Sequence, residues 1–139
     1  MKKILNKTIY TVLLIITIAL MSCGSVKQCD QIGIQFYNYL KAKQFEAIID
    51  LLDKEALNAS PAEVWLEGLA RKDEVFGNVL NVERYDFESV TEDRVTRVGI
   101  KYKVIYPEAT MFEKLEFVER DNEYKITFYK FDEDSLKIK

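Results

Sequence analysis

Residues 98–106 read VGIKYKVIY, and this stretch decides the fold class. Val98, Ile100, Tyr102, Val104 and Tyr106 fall on one side of an extended chain, with Lys101 and Lys103 on the other. A period of two over nine residues is the mark of a strand with one face buried and one face wet. Pro107 follows and closes the strand, because proline has no N–H to give to a ladder. Downstream, MFEKLEFVE places Met111, Leu115 and Phe117 on one side. RDNE has the composition of a hairpin turn, and YKITFYKF then sets Tyr124, Ile126 and Phe128 against Lys125, Thr127 and Tyr129. Upstream, Tyr85, Phe87 and Ser89 alternate with Asp86 and Glu88 before a turn at TED. The charged run EDRVTR reads as part of that solvated turn. Four antiparallel strands are therefore expected after Gly77, with a charged segment, DEDSLKIK, at the end.

Before Gly77 the period is helical. Between about Cys29 and Lys43, Ile32, Phe36, Tyr39 and Leu40 make one stripe. A second helix is expected over about Gln44–Asp53, from Phe45, Ile48, Ile49 and Leu52. In NASPAEVW, Ser60 reads as an N-cap, Pro61 as the first helical residue and Glu63 as the partner in a capping box. Trp65, Leu66 and Leu69 form the stripe of that third helix, and Gly77 stops it. Helices first and strands after them indicate an α+β domain, with the helices on the apolar face of the sheet.

The N-terminus, MKKILNKTIYTVLLIITIALMSC, has a different character. Lys2, Lys3 and Lys7 precede an apolar run from about Ile9 to Met21, and small Ser22 follows. That order is an export signal, and the run is short of the roughly 18 apolar residues a spanning helix needs. Residues 1–22 are read as the signal, leaving 117 of the 139 residues as a single domain. Its removal takes away three Lys and no acid, so 17 basic and 23 acidic residues remain, net −6. Such a charge excludes the basic face that nucleic acid requires. The chain has no His, which removes Ser-His-Asp chemistry and imidazole metal sites. No Gly-rich phosphate loop is present, and nothing calls for a cofactor or a metal.

Leu20, Met21, Ser22 and Cys23 resemble the lipobox of bacterial lipoprotein signal peptides. That resemblance implies a diacylglyceryl thioether on Cys23, cleavage before it, and attachment to a membrane of the cell envelope. Two or three acyl chains anchor stably where one does not. Gly24 stands where an Asp often retains such proteins at an inner membrane, so the outer membrane is expected in a host with two. Residues 24–28, GSVKQ, then read as a tether of at most about 20 Å. Cys29, the other cysteine, reads as a small apolar residue at the start of the first helix or as a thiol that pairs between molecules.

The stretches FYNYLKAKQFEAIIDLLDKEAL (Phe36–Leu57) and LEFVERDNEYKITFYKF (Leu115–Phe131) are similar to the nuclear transport factor 2-like, cystatin-like superfamily. The resemblance implies a curved antiparallel sheet wrapped around the helices as a cone. Such cones serve isomerases, dehydratases, hydrolases and binding modules, so the fold alone does not give the activity. No catalytic residue transfers. Trp65, Tyr102 and Tyr106 are the candidate wall of a cleft at the wide end, and the same three residues also suit plain core packing. Asp50 and Asp53 read as solvated or capping carboxylates. The leading expectation is a non-enzymatic lipoprotein domain that holds a small apolar ligand or a segment of an envelope protein. The alternatives are an isomerase or dehydratase using a carboxylate and tyrosines, and a structural subunit that forms a homodimer through its sheet.

Overall fold

The computed structural model describes residues 24–139; the signal segment, the lipobox residues Leu20, Met21 and Ser22, and Cys23 lie outside the described residues. Helix α1 occupies residues 24–41. It is followed by α2 (Phe45–Ile49), α3 (Lys54–Ala59) and α4 (Ala62–Phe76). Strands β1 (Asn81–Glu92), β2 (Val95–Ile105), β3 (Thr110–Arg120) and β4 (Glu123–Asp132) form one antiparallel sheet in the order 1-2-3-4. The chain is thus α+β, with its helices packed against a curved sheet that does not close. Among the described residues no helix is long and apolar enough to cross a membrane.

Residues 24–28 are not a tether but the first described turns of α1. Val26 lies three positions before Cys29 on the same helical stripe and is buried with it, so these turns have core contacts of their own. Phe36, Tyr37 and Leu40 continue the stripe. Cys29 is a fully buried free thiol.

The expected second helix is two short helices with a break between them. At Leu51–Asp53 the chain leaves the helix and meets the open edge of β4. The Asp53 N–H donates to the Ile126 carbonyl at 2.7 Å, and the Ile126 N–H donates to the Leu51 carbonyl at 2.8 Å. An unpaired sheet edge requires partners for its backbone groups, and these two bonds supply them. The capping assignment shifts accordingly. Asp53 caps α3, accepting the Glu55 N–H at 2.9 Å. The Ser60 side chain makes no cap bond; Ser60 is the extended residue (φ −143°, ψ 116°) that ends α3, its backbone N–H donating to the Ala56 carbonyl, and Pro61 holds the N-cap position of α4. Gly77 stops α4 with φ +80°, a conformation that glycine adopts without strain.

The β1–β2 and β3–β4 hairpins each turn on two residues with positive φ, Asp93 and Arg94 in one and Asp121 and Asn122 in the other. This is the turn whose twist matches the strands it joins. The inner face of the sheet carries Val98, Ile100, Val104, Met111, Leu115, Phe117 and Ile126, all buried. Three aromatics expected on that face are instead exposed, and bulges explain two of them. In β1, Arg84 pairs with Tyr102 and Asp86 with Lys101, so Tyr85 is an extra residue; it turns outward onto Phe112, ring centroids 5.8 Å apart. In β4, Ile126 pairs with Phe117 and Phe128 with Glu116, so Thr127 is extra. Every side chain after it changes face: Phe128 points out, while Tyr129 and Phe131 turn toward the helices. Phe87 pairs with Ile100 but lies on the edge strand beyond the helices, and remains exposed.

Candidate ligand-binding cleft

Helix α4 lies across the end of β4 that the Thr127 bulge has turned. Its residues recur in pairs along one side: Val64 and Trp65, Gly68 and Leu69, Arg71 and Lys72, Val75 and Phe76. With Ser60 at one end and Tyr129 and Phe131 from β4 opposite, they line an open cleft of about 410 Å³. That volume is in the range of small-molecule sites. No Asp or Glu lines it. Trp65 is half-buried and stacks on Tyr129, with ring centroids 6.4 Å apart and an interplanar angle of 29°. Its indole Nε1 is buried and has no hydrogen-bond partner.

Beneath the cleft lies an ion pair shut off from water. Lys72 Nζ is 2.6 Å from Glu113 Oε1, and their side chains are 4% and 0% exposed. The ammonium also donates to the Tyr106 hydroxyl at 2.5 Å and to the Tyr129 hydroxyl. Glu113 accepts from Tyr106 at 2.7 Å on one oxygen, and from Tyr129 at 2.7 Å and Tyr37 at 3.0 Å on the other. All three donors of the ammonium are used, and both carboxylate oxygens accept two bonds each. Lys72 also stands 4.6 Å from the ring centre of Tyr106 and 4.8 Å from that of Phe131. Burial pulls the Lys72 ammonium below its ordinary value, with Glu113 opposing the shift. Burial, reinforced by the Glu113 charge, pushes the Tyr37, Tyr106 and Tyr129 phenols well above theirs. The three phenols are therefore neutral, gathered around the Lys72–Glu113 pair.

The three residues named from sequence do not share one wall. Trp65 lines the cleft. Tyr106 is buried one layer below it, bonded to Lys72 and Glu113. Tyr102 points elsewhere, to Asp30 of α1, where its hydroxyl donates at 3.0 Å beside Arg84, itself 3.1 Å from Asp30. Tyr102 crosses α1 at Gly33, where a Cβ would stand 2.1 Å from its hydroxyl, so that position admits no side chain. Tyr37 lies between the two tyrosines, 5.2 Å from Tyr102 by ring centroids. Among the described residues no group of three or more His, Cys, Asp or Glu side chains is placed to hold a metal.

Sequence reasoning missed Lys72 and Glu113, although the signal was present. Lys72 stands three positions after Leu69 and seven after Trp65, on the apolar stripe. Glu113 stands between Met111 and Leu115, on the inner phase of β3. Opposite charges at two core positions predict a buried pair. Tyr129 and Phe131 carried no such signal, because a strict period of two puts them on the wet face.

No protein-family model and no curated protein matches this chain.

Proposed function

We propose that this protein is a lipid-anchored protein of the cell envelope whose domain binds a small apolar ligand in the cleft along α4. The reading keeps the fold resembled in the sequence, a cone whose narrow end is filled by the helices and whose wide end stays open. One observation carries it: a cleft lined by Trp65, Val64, Val75, Phe76 and Phe131 stays open to solvent, with Val64 and Val75 both more than half exposed. Apolar groups left in water around a concavity are an unfinished contact, and an apolar ligand completes it. The neighbouring polar cluster supports binding over catalysis. A general acid or base needs a proton or lone pair free to transfer, and the Lys72–Glu113 groups are spent on one another.

Trp65 is the only Trp, so its emission reads the cleft directly. Titration with dodecanol below its solubility limit should shift that emission to the blue and saturate. An emission unchanged across the titration, with no heat of binding, would overturn the reading. The anchor is tested separately by intact mass: the mature protein should begin at an acylated Cys23, and Cys23→Ser should abolish both acylation and processing. A native protein beginning at Met1 with an unmodified thiol would refute it.

A further inference from the structure

We propose that the ligand is a single-chain amphiphile with an anionic head, its head held by Arg71 and its chain lying over Gly68 against Trp65. The inference rests on the cleft being a binding site and adds the class of ligand. Arg71 is exposed at the cleft and has no hydrogen-bond or ion-pair partner among the described residues. Glu67 and Glu74, one helical turn to either side, are not paired with it. The other cation, Lys72, is neutralised by Glu113. The cleft thus offers one uncommitted positive charge and no carboxylate, on a chain whose formal net charge is −3. A protein that repels anions overall needs a local cation to admit one, and Arg71 supplies it.

Gly68 is the second, independent sign. Glycine weakens a helix interior and needs a reason to be there. Two ordinary reasons are absent. Its φ is not positive, and a Cβ built on it would meet nothing within 4 Å, so no neighbour presses on the backbone. What the missing side chain leaves is open space in the middle of the cleft, between the Val64–Trp65 pair and the Arg71–Lys72 pair. A chain running from Arg71 toward Trp65 passes over it.

The test compares dodecanoate, dodecyl phosphate, dodecanol and dodecyltrimethylammonium, each below the concentration at which it forms micelles, by calorimetry and Trp65 emission. Both anions should bind the protein about fivefold tighter than dodecanol, the ratio of one solvent-accessible ion pair. The cation should bind most weakly, and the advantage of the anions should shrink as salt rises. Arg71→Gln should bring the anions down to dodecanol and leave dodecanol unchanged. Gly68→Leu should abolish binding of all four while the protein stays folded with a raised Tm, because leucine fills the cleft and favours the helix. A tighter dodecyl phosphate points to a lipid-derived phosphate and a tighter dodecanoate to a fatty acid; both support the proposal. Equal binding of anions and dodecanol, or an advantage that survives Arg71→Gln, overturns it while the cleft reading stands. Binding that survives Gly68→Leu places the chain elsewhere and overturns it as well. No binding by any of the four defeats both readings.

Discussion

The carboxylate of Asp53 does three things at once: it caps α3 through the Glu55 N–H, pairs with Arg120 Nε at 3.0 Å, and sits almost wholly buried. Burial alone pushes its pKa up; the Glu55 N–H and Arg120 outweigh it, and the net shift is downward. A carboxylate with a depressed folded-state pKa stabilises fully above its unfolded value, roughly pH 4, and loses that contribution as pH falls through the folded value. Asp53→Ala should cost about 1 kcal/mol or somewhat more at pH 7. Urea titrations at pH 7 and pH 3 should show the gap between wild type and variant closing at the lower pH. Ser60→Ala, one helix boundary later, should change stability by less than about 0.5 kcal/mol, since its hydroxyl caps nothing. A larger loss for Ser60 than for Asp53 would reverse the assignment of the two caps. The sequence pattern misled here for a physical reason. Ser-Pro-x-Glu fits a capping box, but Pro61 is itself extended (φ −56°, ψ 157°) and holds the N-cap position, so Ser60 stands one residue too early.

At the level of elements, what could be read in advance was the order of helices and strands, the Gly77 stop, the hairpin at Asp121–Asn122 and the inner face of β2. Each follows from local pattern: period, proline, turn residues. What escaped depends on partners distant in sequence. The break between α2 and α3 exists because the β4 edge needs two backbone bonds at Leu51–Asp53. The bulge at Thr127 depends on the register against β3, and it alone decides that Tyr129 faces the cleft and Phe128 the solvent. The pair Lys72–Glu113 ties α4 to β3, and its strength is testable as an interaction between elements. Removing one member leaves a buried charge without its counterion, so Lys72→Met and Glu113→Gln should each cost about 3–5 kcal/mol. The double variant Lys72→Met/Glu113→Gln should lose well under the sum of the two, because no lone charge is left behind. Strictly additive losses in urea denaturation would mean that the two charges do not sustain one another.

Across the whole molecule, the described length of α1 sets where the domain would stand relative to the proposed anchor at Cys23. Its 18 described residues span about 27 Å. The N-terminal half runs beside the β3–β4 turn, where Gln28, Gln31, Asn122 and Tyr124 border one hollow. Its far end meets the loop after α4, where Asn78 Nδ2 donates to the Lys41 carbonyl at 3.1 Å. If Cys23 carries the proposed anchor and α1 stands away from the bilayer, the Asp121–Asn122 turn, beside Gln28 and Gln31, lies nearer the membrane, and Asn78, beside Lys41, lies roughly 15–20 Å farther out along the helix. The native thiol does not interfere with labelling at either place: Cys29 is fully buried, and burial pushes its pKa up to about 12, so it is neither accessible nor ionised at neutral pH. Fluorophores on Asn122→Cys and Asn78→Cys of the lipidated protein in vesicles should therefore report different depths. A quencher carried on the lipid headgroups should dim the label at 122 strongly and the label at 78 little. Equal quenching at both positions would mean that the domain lies on its side or swings freely on its anchor. Either result would contradict an upright α1, held close to the proposed anchor by core contacts that begin at Val26.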